Sequence, residues 1–244
     1  MFEKSEIRVE LHTHTKYSHD SMLGKWVYLL ALKYKKINYI AICDHNQIKG
    51  ALSYKKFLKK FGIDVIVGEE IFTKNGEIIG LFLKEKIKPY MSVEETIKEI
   101  KRQNGIVYVP HPYDEKRYKT VLPLELIKEN SMEIEVMEIH NGRNSKDYFS
   151  IKQEEIANKF PNIIKVIGSD AHCFFELGRN YLEMEKFTDK DDFLIKLSTS
   201  KFYRKKGLNI AHTITKFVRV YKMILRREFN ELFRVINRRF KKRN

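Results

Sequence analysis

Residues 7–20 read IRVELHTHTKYSHD, and they contain the pattern on which the predicted fold rests. An apolar, β-rich run at residues 7–11 passes directly into His12-Thr13-His14. On an extended strand, His12 and His14 point to the same side and can bind one metal ion together. An HxH pair alone is a weak signal because it is common by chance. The rest of the chain must therefore decide whether the pair belongs to a larger site.

Up to about residue 167, short β-rich runs alternate with longer helical patterns, which is typical of βαβα folds. An Asn75-Gly76 turn before an apolar run predicts a hairpin that interrupts this alternation. The predicted strands are 7–11, 39–43, 65–67, 78–83, 106–109, 133–139 and 163–167, and the predicted helices are 26–36, 51–61, 93–103, 124–128 and 153–160. We expect one α/β catalytic domain over residues 1–200.

Polar motifs stand where the predicted strands end. They are Leu11-His12-Thr13-His14, Asp44-His45-Asn46, Gly68-Glu69-Glu70, Pro110-His111-Pro112, His140-Asn141 and Ser169-Asp170-Ala171-His172. The carboxyl ends of parallel strands lie on one face, so residues far apart in sequence converge there. The sequence therefore predicts a single site built from six segments.

Carboxylates at Asp20, Asp44, Glu70 and Asp170 share these segments with the histidines. A mixed His/carboxylate set suits zinc, manganese or iron better than magnesium or calcium. The donors exceed one tetrahedral shell, which predicts two or three divalent ions and a water that loses its proton near neutral pH. Asp44 either caps a helix or supports a ligand from behind. His19 is interpreted as an ordinary loop residue.

The motifs LHTHTKYSHD, AICDHN, VGEE, VPHP, EIHNGRN and IGSDAH together resemble those of the PHP (polymerase and histidinol phosphatase) domain family, from about residue 9 to residue 179. The resemblance implies a distorted, seven-stranded, TIM-like (β/α) barrel with a trinuclear metal centre. It also implies hydrolysis of a phosphate ester, preferably a phosphomonoester, by a metal-bound hydroxide.

Carried over residue by residue, the resemblance assigns three ion positions. The first ion has the ligands His12, His14, Glu70 and Asp170; Glu70 bridges to a second ion bound by His111; and Asp20, His45 and His172 bind the third. The resemblance also gives Asp170, His172, Glu70 and His111 catalytic roles. His140 is the preferred remaining ligand of the second ion, with Asn141 and Glu138 as alternatives because neighbouring strand residues point to opposite sides.

A phosphate ester needs positive charge opposite its non-bridging oxygens, and guanidinium groups suit this role. Arg143 and Arg179 follow ligand segments closely and are the candidate substrate-binding residues. The alternative for each is an ordinary surface arginine.

The formal charge of +15 is concentrated at the end of the 244-residue chain. Residues 201–244 contain fifteen Lys and Arg but only two acidic residues, Glu228 and Glu231, a net of +13. Apolar residues recur there at helical spacing, at Ile210, Ile214, Phe217, Tyr221, Ile224, Leu225, Leu232, Ile236 and Phe240. We expect an amphipathic helical tail that either docks on the barrel or binds an anionic membrane, a partner helix or nucleic acid.

Two cysteines, Cys43 and Cys173, suggest buried thiols in a reducing compartment. Neither a signal peptide nor a membrane span is predicted, so we expect a cytoplasmic protein with peripheral membrane association as an option. The alternatives to a phosphatase are a nuclease or nucleic-acid end-processing phosphodiesterase, and a non-catalytic PHP-like binding scaffold.

Overall fold

The chain folds as an α/β protein in the computed structural model, which describes residues 6–230 and residue 233. The described strands are β1 Glu6–Thr13, β2 Tyr39–Ile42, β3 Asp64–Phe72, β4 Glu77–Leu81, β5 Ile106–Val109, β6 Val136–Asn141, β7 Ile164–Gly168, β8 Tyr181–Glu185 and β9 Lys201–Tyr203. The described helices are α1 Lys25–Lys35, α2 Lys49–Leu58, α3 Val93–Arg102, α4 Leu124–Glu129, α5 Asp147–Ala157, α6 Lys190–Leu197 and α7 Asn209–Leu225. Up to β7, strands and helices alternate as predicted, apart from the β3–β4 hairpin.

One sheet contains all nine described strands, in the order β7-β6-β5-β4-β3-β2-β1-β8-β9. β1, β2 and β3 pair in parallel, as do β5, β6 and β7, and β4 lies antiparallel between the two groups. The strands on both sides of β4 therefore run in the same direction. Their carboxyl ends lie on one face, where parallel α/β proteins place functional residues.

The sheet is nearly closed into a barrel because the segment after β7 returns to the end of β1. Thr13 and Ala171 form a parallel bridge, and the backbone N–H of His14 donates to the Ala171 carbonyl at 2.9 Å. The first half of β1 pairs instead with β8, which continues the sheet to β9. The described sheet thus has nine strands rather than the predicted seven. β8 and β9 escape prediction because they are short and partly exposed, without a buried apolar run.

The central strands are rich in apolar residues, which allows both of their sides to be buried. All four residues of β5 are buried. α3 shows how a helix is specified locally. Ser92 and Glu95 form a capping box at its start, and Val93, Ile97 and Ile100 are buried. Each buried aliphatic side chain contributes about 1.5–3 kcal/mol. This buried core stabilises the sheet that carries the loops at the carboxyl-terminal face.

The predicted division at residue 200 stays a prediction, and β9, which belongs to the sheet, begins at Lys201. α7 occupies the first part of the predicted amphipathic tail. The predicted stripe residues Leu232, Ile236 and Phe240 lie outside the described residues. Within the described part of the chain, every helix is too short or too polar to cross a membrane. Both cysteines are free and buried, as predicted.

Candidate metal centre

Four buried side chains bring their ligand atoms together at the carboxyl ends of β1, β3 and β7. The Nε2 atoms of His12 and His14 lie 3.2 Å apart. His14 Nε2 lies 3.3 Å from both Glu70 Oε2 and Asp170 Oδ1, and His12 Nε2 lies 3.4 Å from Glu70 Oε1. The two histidines therefore point to the same side of β1, as predicted, and face two carboxylates. Two imidazoles and two carboxylates form a suitable ligand set for a divalent transition metal.

The loop between β1 and α1 carries Asp20 to a second group of ligand atoms. Asp20 Oδ1 lies 3.2 Å from His172 Nε2, and Asp20 Oδ2 lies 3.7 Å from His45 Nε2. Nitrogen atoms of His14, His45 and His172 also lie within 4.8 Å of one another. His19 joins this edge of the site, with its Nε2 3.8 Å from Asp20 Oδ2, although it was interpreted as an ordinary loop residue.

A third group includes Glu77, a buried residue that the sequence pattern did not single out. His111 Nε2 lies 3.2 Å from Glu70 Oε1 and 3.4 Å from Glu77 Oε2, and His45 Nδ1 lies 3.6 Å from Glu77 Oε1. Glu77 is the first residue of β4 and pairs with Phe72 on β3. Residues 70, 72, 77 and 79 therefore share one face of the predicted hairpin. The register of that hairpin is the signal that could have identified Glu77.

The carboxyl groups in this cluster have strongly perturbed pKa values. Burial raises the pKa of Glu77 well above its ordinary value, and the negative charge of Glu70 raises it further. Burial also opposes ionisation of Glu70, but the positive charges of His12 and His45 hold its pKa well below the usual range. The pKa of Asp170 is also held low despite its burial, chiefly by the charge of His12. Adjacent carboxyls and imidazoles that compete for protons in this way are suited to bind cations, which displace those protons.

In three of the histidines, the Nδ1 atom contacts a hydrogen-bonding group, while Nε2 faces the cluster. His12 Nδ1 lies 2.8 Å from Glu138 Oε1, and His172 Nδ1 lies 2.8 Å from the carbonyl oxygen of Asp170. His14 Nδ1 lies 3.1 Å from Ser18 Oγ. Each contact favours a proton on Nδ1 and leaves the Nε2 lone pair directed into the cluster, which is the usual arrangement for metal-binding histidines.

Several buried polar atoms of the cluster make no hydrogen bond of good geometry among the described residues, although most of them lie close to one another as ion pairs. They are Asp20 Oδ1, His45 Nδ1, Glu70 Oε2, His111 Nδ1 and His172 Nε2. Buried polar atoms are normally satisfied, and leaving one unsatisfied costs about 1–3 kcal/mol. This concentration of unsatisfied ligand atoms fits a site built to hold metal ions.

Asp44 supports the ligand loop rather than facing the cluster. Its Oδ1 accepts from the backbone N–H of Thr15 at 2.7 Å and from Ser18 Oγ at 2.9 Å, and its Oδ2 accepts from Thr15 Oγ1 at 2.6 Å. Because Ser18 also contacts His14, Asp44 fixes the orientation of a ligand candidate through one intervening hydroxyl. Of the two predicted alternatives for Asp44, the structure favours support from behind.

His140 does not reach the cluster, which corrects its assignment as the remaining ligand. Its Nδ1 lies 2.8 Å from Ser150 Oγ and its Nε2 lies 3.3 Å from the Lys205 carbonyl oxygen. β6 extends to Asn141, and its pairing with β7 shifts between Glu138 and His140. In a regular strand, His140 would point to the same side as Glu138, because the two residues are two positions apart. The register shift instead turns His140 away from the cluster.

The two alternatives to His140 both point inward. Glu138 contacts His12, and its Oε2 accepts from the side-chain amide of Asn141 at 2.8 Å. Glu138 lies behind the ligand candidates, where it holds them in place. Glu77 is the fourth carboxylate at the cluster itself, after Asp20, Glu70 and Asp170.

One of the two predicted substrate arginines faces the cluster. Arg143 lines a cavity of about 220 Å³ over the histidines, together with Arg117 and Arg219, which were not predicted. Arg117 donates to Asp114 Oδ2 at 2.8 Å and to Asp170 Oδ2, so its guanidinium is held against the cluster. Arg179 lies elsewhere: its Nη2 donates to the Lys206 carbonyl, and it lines two grooves on another part of the surface.

α7 contacts the site through a polar side chain near its end. Lys222 Nζ donates to three backbone carbonyls in the loop of residues 16–21, those of Lys16, Ser18 and Ser21. This loop carries Asp20. An ammonium group has three donors, and here all three are engaged by one loop. Lys222 thus ties the C-terminal helix to a segment that carries ligand candidates.

The first half of α7 holds Arg143. His212 Nε2 donates to the Arg143 carbonyl at 2.9 Å, and Arg143 Nη2 donates to Thr215 Oγ1 at 2.7 Å. His212, Thr215, Arg219 and Lys222 follow the spacing of one helical face. The face of α7 that contacts the barrel is therefore mixed. It buries the apolar Ala211 and Met223 and makes hydrogen bonds through His212, Thr215 and Lys222, whereas most of the predicted apolar stripe stays exposed.

Comparison with known proteins agrees with this geometry. The family model of the PHP domain matches residues 10–236. An uncharacterised protein of Methanocaldococcus jannaschii is 32% identical over 191 residues, covering 77% of this chain and 75% of its own length. A second uncharacterised protein of that organism is 44% identical over 117 residues, covering 44% of this chain and 68% of its own length.

A solved structure shares the fold at low sequence identity. It is a two-domain protein from Bacteroides vulgatus described as containing a predicted PHP-like metal-dependent phosphoesterase, and it superposes with a TM-score of 0.64 at 14% identity. The alignment covers 82% of this chain and 65% of that chain, so this chain spans less than two thirds of the two-domain protein. Taken with the family match, the fold and the convergence of the motifs at one face, this similarity shows that the chain belongs to the PHP domain family.

Proposed function

We propose that the protein is a metal-dependent hydrolase of phosphate esters, with a preference for phosphomonoesters. The observation that carries this proposal is the convergence of histidines and carboxylates on one small cavity that is also lined by arginines. Histidines and carboxylates bind divalent transition metals, and guanidinium groups bind phosphate oxygens. A site with both is suited to phosphoryl transfer to water.

We assign three ion positions to these ligand atoms as part of the proposal. The proposed ligands are His12, His14, Glu70 and Asp170 for the first ion; Glu70, Glu77 and His111 for the second; and Asp20, His45 and His172 for the third. Zinc, manganese or iron suits this donor set. When bound, such ions act as Lewis acids on phosphoryl oxygens and lower the pKa of a coordinated water.

The arginines of the chain have the complementary task of binding the phosphoryl group. Arg117 is held in place by Asp114, and Arg143 by Thr215 of α7, so both guanidinium groups are ordered before a substrate arrives. Ordered cations lower the cost of reorganisation when charge develops on the phosphoryl oxygens. Asp170 contacts both Arg117 and the histidine cluster and therefore links the phosphate-binding side of the cavity to the ligand side.

The size of the cavity favours a small or terminal phosphate group. A volume of about 220 Å³ accommodates a phosphoryl group with a small leaving group, and α7 lies across one side through Arg219. A nucleic-acid end-processing activity is the second candidate, because the C-terminal charge also favours an anionic macromolecular partner.

Steady-state assays with two chromogenic esters test the proposal. Protein reconstituted with Mn²⁺, Zn²⁺ or Fe²⁺ should hydrolyse p-nitrophenyl phosphate faster than bis(p-nitrophenyl) phosphate. Asp170→Asn and His45→Ala should lower turnover by at least about 100-fold, the upper end of what substitutions behind a metal ligand cost. Asp191→Asn, whose side chain is 83% exposed, is the matched control and should retain full turnover.

Two results would count against the proposal. Turnover retained by Asp170→Asn, with contaminating phosphatase excluded, would show that this cluster is not the reacting centre. Faster cleavage of the diester, or of a 5′-phosphorylated oligonucleotide, would favour the end-processing activity instead.

A further inference from the structure

α1 presents an apolar outer face. Leu30 and Tyr34 are 66% and 78% exposed and stand four residues apart, so they lie on one side of the helix. The opposite side of α1 contains Tyr28 and Leu32, which are fully buried in the core. Burial on the inner side accounts for the fold of this helix. The exposed apolar side chains have no such role within the described residues.

The start of α7 lies beside this face. Tyr34 of α1, Ile210 of α7 and the adjacent pair Phe174 and Phe175 line one apolar groove of about 510 Å³. From there α7 runs back along the barrel towards the loop before α1, which Lys222 contacts. Two neighbouring helices and the loop of residues 174–175 thus form one continuous apolar surface.

The outer side of α7 extends this surface because its large apolar side chains point away from the barrel. Phe217 is 72% exposed, and Tyr221 and Ile224 are about half exposed. These three residues continue the helical face that begins at Ile210. Exposed aromatic and aliphatic residues at helical spacing, next to basic residues, are typical of helices that lie in a membrane interface.

A basic groove of about 670 Å³ adjoins the apolar one. Six cationic residues line it: Arg8, Lys35, Lys36, Arg179, Arg204 and Lys205. No acidic residue lines it among the described residues. Tyr34, Lys35 and Arg179 line both grooves, so the cationic surface and the apolar surface are continuous.

We propose that α1, α7 and the loop of residues 174–175 form a peripheral binding surface for anionic phospholipid membranes. The apolar side chains enter the interface between headgroups and acyl chains, and the basic groove contacts the phosphate headgroups. A second copy of this chain fits poorly, because it would bring two strongly cationic surfaces together. Nucleic acid accounts for the cations but not for the exposed Leu30, Ile210 and Phe217. The proposal does not depend on phosphoesterase activity.

Vesicle co-sedimentation of the full chain tests the apolar part of the surface. The protein should bind phosphatidylcholine vesicles that contain about one third phosphatidylserine more tightly than pure phosphatidylcholine vesicles. Leu30→Ser with Tyr34→Ser should weaken this binding by about tenfold or more. Met132→Ser with Ile195→Ser removes two residues that are 86% and 69% exposed elsewhere, and it should bind like the unaltered protein.

The cationic part is tested with a second matched pair. Lys36→Gln with Arg204→Gln should weaken binding to the anionic vesicles by about 25-fold, since each cation near the surface contributes about fivefold. Lys128→Gln with Lys159→Gln is the control. It removes the same charge at two exposed residues that line neither groove, and it should have a much smaller effect.

Three outcomes would overturn the proposal. Vesicle binding by the full chain that is unchanged in the Leu30/Tyr34 variant would assign the binding to another segment. Binding to a single-stranded oligonucleotide without binding to vesicles would show that the cationic residues bind nucleic acid and not a membrane. A dimer in light scattering that the Leu30/Tyr34 variant abolishes would make this face a contact between copies of the chain.

Discussion

Glu138→Gln tests how the proposed ligands are held, because it keeps the shape of the side chain and removes its charge. Glu138 is buried, and each of its oxygens accepts two hydrogen bonds. Oε1 accepts from His12 Nδ1 and the Tyr108 hydroxyl, and Oε2 accepts from the backbone N–H of His111 and from Asn141 Nδ2. All four partners are donors, so a carboxylate fits this position and an amide does not.

The magnitude follows from these four contacts. In either orientation, the NH₂ group of glutamine faces two donors and leaves them unsatisfied in a buried site. Each costs about 1–3 kcal/mol, so Glu138→Gln should lower the free energy of unfolding by about 2–6 kcal/mol. The proton on His12 Nδ1 also loses its carboxylate partner, which should weaken metal affinity by about 10–100-fold.

Urea unfolding followed by circular dichroism measures the first effect, and calorimetric titration with Mn²⁺ measures the second. Glu133→Gln is the matched control, because the Glu133 side chain is 60% exposed and its substitution should change stability by less than about 0.5 kcal/mol. An unfolding free energy equal to that of the unaltered protein would refute the role of Glu138 as a buried acceptor. A destabilised variant with unchanged Mn²⁺ affinity would refute the assignment of His12 as a ligand.

Three further experiments test single residues, two of them with a second substitution for comparison. His140→Ala should leave the metal content unchanged and His111→Ala should lower it, because only His111 reaches the cluster; equal losses in elemental analysis would contradict this. Arg117→Met should lower kcat/KM for a phosphomonoester by about 10–150-fold, the value of a hydrogen bond to a charged group, and an unchanged kcat/KM would remove this residue from phosphate binding. Lys222→Met should lower kcat/KM and raise the metal concentration needed for half-maximal activity, because the loop that it holds carries a proposed ligand. Lys216→Met, on the exposed side of the same helix, should change neither quantity.

Much of the candidate site could be predicted because its signals are local. His12 and His14 alternate on one strand, and the end of that strand fixes where they point. Gly168 also belongs to a local motif. A side chain there would bring its Cβ within 2.1 Å of Glu138 Oε1, so a glycine at this position allows the buried carboxylate to approach β7. Residues next to strand ends are thus placed by the periodicity of the strand itself.

The remaining residues depend on pairing between distant segments. Glu77 reaches the cluster only through the register of the β3–β4 hairpin, and Arg219 only through the docking of α7 on the barrel. His140 was assigned wrongly because the register shift in β6 cannot be read from residue types alone. Arg117 follows His111 by six residues, and the loop that returns it to Asp170 has no periodic pattern. Residue types at and just after strand ends therefore predict most of the proposed ligands, but not the groups whose position depends on the register of a hairpin, a shift within a strand or the docking of the last helix.

Metal content tests the central claim most directly. Full-length protein should be reconstituted with Mn²⁺ or Zn²⁺, freed of loosely bound ions by gel filtration and analysed by plasma mass spectrometry. The buried ligand groups predict more than one equivalent of tightly bound ion, because their donors exceed the shell of a single metal. His12→Ala should lower that number. At most one equivalent in the unaltered protein, with no loss in His12→Ala, would contradict a multinuclear centre at the carboxyl-terminal face of the barrel.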